Sequence, residues 1–407
     1  MSGWKSTTVG DVAQIKGGKR LPPGFFVQAE RTPYPYIRVT DMRDGGVDQS
    51  DIKYVPVQAA RTIQAYTIRS QDLFISVAGT LGLVGRIPDA LDGANLTENA
   101  DRLTDIKCDV DYLAHYLRSP LIQNEIESIR TVGAQPKLAL SRIKTFELQL
   151  PIDLAEQVRV SAALNNADDL IDSLERLIAK KRDIKQGMMQ ELLTGRTRLP
   201  GFTGKWSRCT AADIGTFKGG SGFPTRLQGS TTGKFPYFKV SDMNLEGNER
   251  SMIFANNWID EETRALLGAT ALPPGAVVFA KVGAAVFLER KRLLVASSCI
   301  DNNMVAFVPT SGVTDFLFVY YLFLSFKMSS LVAVGALPSL NGSQLRSIPI
   351  FLPNNVEEQS EIAQVLNDAD AEIAALERRL ETVRAIKMGM MQELLTGRTR
   401  LVSEEAA

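Results

Sequence analysis

The sequence predicts an α+β protein written twice: two similar globular heads separated by two long helices, the helices pairing antiparallel as a coiled coil in a pseudo-twofold internal repeat. Three observations predict this. The thirteen residues GMMQELLTGRTRL occur at 187–199 and again at 389–401, an offset of 202 residues. Each copy ends a stretch without Gly or Pro punctuation in which apolar residues recur at helical spacing. Each stretch follows about 150 residues broken by turn clusters, and these share anchors at nearly the same offset. The period is far too long for a solenoid.

The helical stretches come first because they repeat most tightly. Leu164, Ala167, Ile171, Leu174 and Ile178 recur at spacings of three and four, a heptad-like stripe that Lys181, Ile184 and Met188 continue less regularly. Ile362, Val365, Ala369, Ile373, Leu376, Leu380 and Val383 form the second stripe. A helix of roughly 40 residues is about 60 Å long and needs a partner to bury its seam. Since the first helix leaves one head and arrives at the next, antiparallel pairing is the simplest closure. Gly195 is the expected C-terminal stop, followed by Pro200-Gly201.

The boundaries read as a first head at 1–152, a helical region at 153–199, a second head at 203–352 and a helical region at 353–401. In the first head, β-type runs at Tyr36–Thr40 and Leu73–Val77 lie between turn clusters at Lys16-Gly17-Gly18, Pro22-Pro23-Gly24, Asp44-Gly45-Gly46 and Asp92-Gly93. One helix is expected from Asp111 to about Ile129, with Tyr112, Leu113, Tyr116 and Leu117 on its apolar face. The second head answers with Trp206 for Trp4, Asp213 for Asp11 and Lys218-Gly219-Gly220 for Lys16-Gly17-Gly18. Phe235–Met243 answers Tyr34–Met42, and Gly335 and Pro338 answer Gly133 and Pro136. Tight repetition in the helices suggests one job done twice; divergence between the heads suggests related but different jobs.

Bulk composition fits this plan. The 407 residues are 44% hydrophobic and 23% charged, as in ordinary globular proteins. The longest apolar run, Phe316–Leu324, is too short to span a bilayer, and the N-terminus shows no export signal. Three scattered cysteines suit a reducing cytoplasm. The formal net charge is zero, which argues against a nonspecific polyanion binder. Its distribution is uneven: residues 203–352 carry 14 basic and 10 acidic side chains, residues 353–407 carry 6 and 11.

Catalytic patterns are missing. The one histidine, His115, has no counterpart in the second head, and a structural or surface role is expected. No Cys/His cluster has metal-ligand spacing. Gly229–Lys234 is one residue short of a phosphate loop, and Phe235 stands where Ser or Thr must reach magnesium. Gly79, Gly82 and Gly85 read as a turn. The chain does not read as an enzyme.

With these motifs in place, the layout resembles the specificity subunit of Type I restriction-modification enzymes over essentially the whole chain. The resemblance rests on Gly10-Asp11-Val12 with Lys16-Gly17-Gly18, on Asp213-Ile214 with Lys218-Gly219-Gly220, and on Tyr36–Met42 with its partner. It rests also on Leu-Pro at 150–151 and 352–353, Glu-Gln at 156–157 and 358–359, and the repeated Gln-Glu-Leu-Leu-Thr-Gly. It implies that the heads are target-recognition domains, each reading half of a bipartite double-stranded DNA site. It further implies that two methyltransferase subunits dock through the helices and methylate adenine, and that restriction subunits can join. The chain itself would carry no catalysis and no cofactor, S-adenosylmethionine belonging to the methyltransferase.

DNA affinity comes mostly from phosphate contacts, and base edges specify sequence. The expected contacts are Lys16, Lys19, Arg20, Arg38 and Thr40 in the first head, with Lys218, Arg226, Lys239, Ser241, Asn244 and Lys281 in the second. The helices would act as a ruler, bounding half-site separation at roughly 18 base pairs. The repeated face of Met188, Met189, Glu191 and Leu192, with Met390, Met391, Glu393 and Leu394, is expected to serve helix pairing or partner docking. Two rivals remain: a coiled-coil scaffold whose two heads bind protein or glycan, and an enzyme with unrecognised sites in the heads.

Overall fold

The structure, a computed structural model, describes residues 3–129, 137–332 and 338–401. Gly133, Pro136 and Gly335 of the repeat lie outside the described residues. The chain divides into two compact units, 1–176 with 378–407, and 177–377. Each unit holds one head and parts of both long helices.

In the first unit, Trp4–Thr8 pairs antiparallel with Glu147–Pro151, joining the start of the head to its exit. A four-stranded antiparallel sheet takes the order Gln14–Gly17, Ala100–Thr104, Leu73–Ser76, Val84–Arg86. A second takes the order Lys53–Tyr54, Pro35–Ile37, Ala94–Leu96, Thr67–Ile68, with its two middle strands parallel. The core runs from Leu73, Ile75 and Leu103 through Tyr112, Tyr116 and Leu117 to Val160, Leu164, Met391 and Leu395 of the long helices.

The second unit follows the same plan. Trp206–Thr210 pairs with Pro349–Pro353. A five-stranded sheet contains Gly215–Gly219, Met304–Pro309, Val277–Ala280, Lys291–Leu294 and Ser251–Met252, and a three-stranded one Trp258–Ile259, Phe235–Phe238 and Cys299–Ile300. The apolar run of the sequence becomes the helix Phe316–Ser325, buried on most of its circumference as a core helix must be. It packs with Met189, Leu192, Leu193, Ile362 and Leu366.

Two sequence expectations need correction. The single helix from Asp111 is two, Val110–Arg118 and Pro120–Ser128, because Pro120 excludes Ser119 from helical backbone (φ −70°, ψ 155°). The run Tyr36–Thr40 is a strand only to Ile37. Asp41 Oδ2 then accepts the Arg38 backbone N–H at 2.8 Å and closes a 3-10 turn over Val39–Asp41.

The long helices, Leu154–Leu192 and Val356–Leu394, have 39 residues each. Asp153 and Asn355 cap their first turns, accepting from the Ala155 and Glu357 N–H groups at 3.0 and 2.8 Å. Gly195 and Gly397 end the repeated motifs with φ of 68° and 71°, where a β-carbon is disfavoured. In the first unit Asp168 meets Lys387, and Glu175 meets Arg384 at 2.6 Å. In the second, Lys185 meets Asp370, Lys181 meets Glu372 at 2.7 Å, and Arg182 meets Glu377 at 2.5 Å. From Asp168–Lys387 to Glu175–Arg384, and from Lys181–Glu372 to Lys185–Asp370, one number rises as the other falls, so the helices run antiparallel within each unit. Leu164, Leu174, Ile178, Ile362, Ile373, Leu380 and Val383 of the predicted stripes are buried. Ile184 is not.

Candidate nucleic-acid interface

The Lys-Gly-Gly openings sit at the ends of the first sheet strands, and their glycines serve the fold. A β-carbon on Gly18 would lie 2.0 Å from the Thr97 carbonyl oxygen, and one on Gly220 1.9 Å from that of Asp301. The close approach is to the head's own backbone. Tyr36 Oη donates to the Lys19 carbonyl at 3.0 Å, and Tyr237 Oη to that of Ser221 at 2.8 Å, so the same pin holds both loops. Lys16 and Lys218 are left exposed, and among the described residues neither makes an ion pair. Arg226 is also exposed, and Lys281 half-buried, without an ion pair.

Other candidates have partners inside their own head. Arg38 Nε and Nη2 donate to Asp41 at 3.0 and 2.5 Å, and Nη2 also reaches Asp51. Hydrogen bonding to Asp41 holds its guanidinium above the usual value against the opposing effect of burial. Lys239 Nζ donates to Gln228 Oε1 at 3.0 Å, while Asp242 Oδ2 accepts the Lys239 N–H at 2.7 Å. Arg20 bonds Glu98 at 2.6 Å, Lys19 lies 5.6 Å from the Tyr66 ring centre, and Asn244 accepts from Arg290. Thr40 and Ser241 are exposed at matching places.

Sequence reasoning missed the joint that seats each head on its helices. In the second unit Arg198 Nε and Nη2 donate to Glu358 at 2.5 and 2.8 Å, and Trp206 Nε1 donates to it at 3.2 Å. In the first, Arg400 and Trp4 do the same to Glu156, at 2.8, 2.6 and 3.3 Å. The neighbouring glutamines work equally: Gln157 Oε1 accepts the Asp109 N–H and Gln359 Oε1 that of Asp315, at the N-terminal caps of the head helices. Farther along, Asn165 and Asp168 receive His115 and Arg118, whereas Asn367 and Asp370 receive Arg250 and Tyr321. The signal was available, since each helix and tryptophan member of this joint recurs at offset 202. Grooves of about 710 Å³ flank the joint in each unit, one reaching His115 and Asp168, the other Arg250 and Asp370.

His115 is buried, with Nε2 2.7 Å from Asn165 Oδ1. Asn165 Nδ2 donates to Asp111, which fixes the amide and puts the imidazole proton on Nε2. Burial lowers its pKa below the ordinary 6.5, outweighing the Asn165 hydrogen bond. The unfolded chain therefore takes up the proton first, and stability falls as pH drops through about 6.5 toward the folded value. As the chain has one histidine, its imidazole proton NMR signal should titrate below pH 6.5; a midpoint at or above that value contradicts this account.

The repeated face at the helix ends is mostly interior. Met189, Leu192, Met391 and Leu394 are buried in the unit cores, and Met188 and Met390 half-buried. Glu191 and Glu393 accept from Thr197 and Thr399 at 2.9 and 3.1 Å, tying down the turn after each helix.

The profile of the Type I restriction modification DNA specificity domain matches this sequence twice, over residues 1–181 and 204–385. The chain belongs to that family. Specificity proteins of the family recognise a DNA target, and two copies of the domain occupy nearly the whole chain. A putative type I restriction enzyme MjaX specificity subunit from Methanocaldococcus jannaschii is 24% identical over 410 residues, covering 91% of this chain and 88% of its own. The EcoBI specificity subunit of Escherichia coli is 22% identical over 175 residues, 42% and 36% of the two chains. The fold is shared with the S subunit of a Type I restriction-modification system from M. genitalium, at TM-score 0.58, 16% identity and 96% coverage of both chains. A chain from a structural account of complex assembly and conformational transition in the type I system has TM-score 0.60, 16% identity and coverage of 98% and 99%. Among the described residues no group of His, Cys, Asp and Glu is placed to hold a metal, and no helix is long and apolar enough to cross a membrane.

Proposed function

We propose that residues 1–152 and 203–352 are target-recognition domains, each reading one half of a bipartite duplex sequence. The regions 153–199 and 353–401 set the spacing between the halves and dock two methyltransferase subunits, through which restriction subunits join. Recognition is this chain's share, and adenine methylation falls to the docked subunits. The observation that carries this reading is the double match to one DNA specificity domain in a chain whose two heads diverge between shared anchors.

Lys16, Lys19, Lys218, Arg226 and Lys281 are the phosphate contacts, with Thr40, Ser241 and Asn244 reading base edges. Arg20, Arg38 and Lys239 would first have to leave their intramolecular partners. For docking, the helix positions Ile184 and Ile386 support a two-partner reading: they are 202 residues apart, and both are exposed, by 46% and 56%. Binding of the assembled complex to its duplex target should weaken steeply with salt. Lys16→Ala and Lys218→Ala should each reduce the slope of log K against log salt by about one, without changing the methylated sequence. Binding that does not respond to salt would favour a scaffold instead.

A further inference from the structure

The first head presents one aromatic side chain that the fold does not use. Phe26 is 82% exposed, the most exposed large hydrophobic side chain among the described residues. It lies in a segment pinned on both sides. Before it, the Phe25 N–H donates to the Pro22 carbonyl at 3.1 Å, across Pro23 and a Gly24 with φ of 87°. Proline then glycine in the middle of a turn is the type II signature, and the positive φ makes the glycine necessary. After it, Gln28 and Tyr54 exchange backbone hydrogen bonds at 3.0 and 2.9 Å. Thr32 Oγ1 closes the segment on the Val55 carbonyl at 2.8 Å. Val27 turns inward against the cluster of Leu21, Tyr36, Val55 and Ile63. Phe26 is therefore held out on a rigid loop whose ordering cost folding has already met.

The charges along its own segment of sequence point to the partner. The loop leaves the strand carrying Lys16, passes Lys19 and Arg20, and reaches Arg31, with Glu30 the one acidic residue in residues 16–31. A rigid apolar side chain on a segment whose flanking charges are mainly basic, Arg20 being held by Glu98, matches a duplex, whose phosphates meet the free charges while a base step admits the ring. The second head opens its loop alike, with Phe223 stacked on Tyr237 at 4.0 Å where the first head has Leu21 beside Tyr36, and then turns through a 3-10 helix over Thr225–Leu227. At offset 202 from Phe26, however, it has Gln228, which donates to its own Phe223 carbonyl.

We propose that Phe26 is an aromatic wedge that enters a base step of the half-site read by the first head. This rests on the half-site reading above. The test uses the complex assembled with its methyltransferase subunits and a duplex carrying its mapped methylated sequence. Phe26→Ala should weaken binding about tenfold, the scale of one aromatic–base contact, with the salt slope unchanged because no phosphate contact is lost. Phe26→Trp should restore most of the affinity. With 2-aminopurine placed at steps away from the methylated adenine, the wild type should give a fluorescence rise at one step in that half-site, lost in Phe26→Ala. Tight binding by Phe26→Ala with the signal retained overturns the wedge and leaves the half-site reading standing. Loss of methyltransferase subunits from the Phe26→Ala complex, seen by native mass spectrometry, also overturns it and makes the loop a protein contact. A wild-type complex that shows no salt-dependent duplex binding overturns both.

Discussion

Glu358→Ala is expected to destabilise the second unit by about 3–5 kcal/mol, the usual cost of removing one member of a buried, hydrogen-bonded charge pair. Glu358 is 0% exposed and accepts three hydrogen bonds, two from Arg198 and one from Trp206. Arg198 also lies 5.7 Å from the Trp206 ring centre. The substitution strands a guanidinium and an indole N–H at the point where the head's first strand, the start of one long helix and the end of the other meet. Arg198 retains some access to solvent, which favours the lower end of that range. In the first unit Arg400 is more exposed than Arg198, its side chain at 55% against 27%, so Glu156→Ala should cost less. Urea unfolding followed by a double-mutant cycle with Arg198→Ala measures the coupling directly. A loss under about 1 kcal/mol, the value of an ordinary surface pair, would show that the joint does not hold the unit together.

Gly220→Ala should be similarly severe for a different reason. The added carbon would lie 1.9 Å from the Asp301 carbonyl oxygen and 2.4 Å from that of Ile300, both backbone atoms that cannot turn aside. Relief requires breaking the contact between the loop and the strand Cys299–Ile300, at a cost of about 3 kcal/mol or more. Gly18→Ala should do the same in the first head, where Thr97 O is 2.0 Å away. The neighbouring Gly219 is the control: its added carbon meets nothing within 4 Å, so Gly219→Ala should stay within about 0.5 kcal/mol of wild type. Thermal melts of the three variants decide it. Equal stability of Gly220→Ala and Gly219→Ala would mean that the glycine pair is kept for a ligand and not for the strand crossing.

These two sites mark how far the sequence could be read. The long helices were legible because a stripe such as Leu164, Leu174 and Ile178 repeats at helical spacing over many turns and is followed by a glycine stop. The architecture followed from the 202-residue offset together with the helical stripes and the turn-broken stretches that precede them. The roles of the repeated motifs were not legible, because a repeat marks a position as reused without saying what it touches. Lys-Gly-Gly reads as a turn cluster that carries a candidate DNA contact, and what its second glycine serves shows only when Thr97 and Asp301 are seen pressed against Gly18 and Gly220. Arg38 reads as a candidate DNA contact, and its pairing with Asp41 inside the head shows only in the structure. The repeated Met-Met-Gln-Glu-Leu-Leu reads as a face for helix pairing or partner docking, and only the structure shows Met189 and Leu192 in the core. Pro120 did carry its signal, and the apolar face of Tyr112 and Leu113 outweighed it in the reading. Phe26 carried none, since nothing in a sequence says which of two adjacent phenylalanines faces out.

The claim on which the rest depends is that each head chooses one half of the target. It is tested by replacing residues 203–352 with the second head of another family member that methylates a different sequence, then mapping modified adenines across a genome by single-molecule sequencing. The account predicts a hybrid motif, with the half read by residues 1–152 unchanged and the other half replaced by the donor's. An unchanged motif, or one altered in both halves, would contradict it.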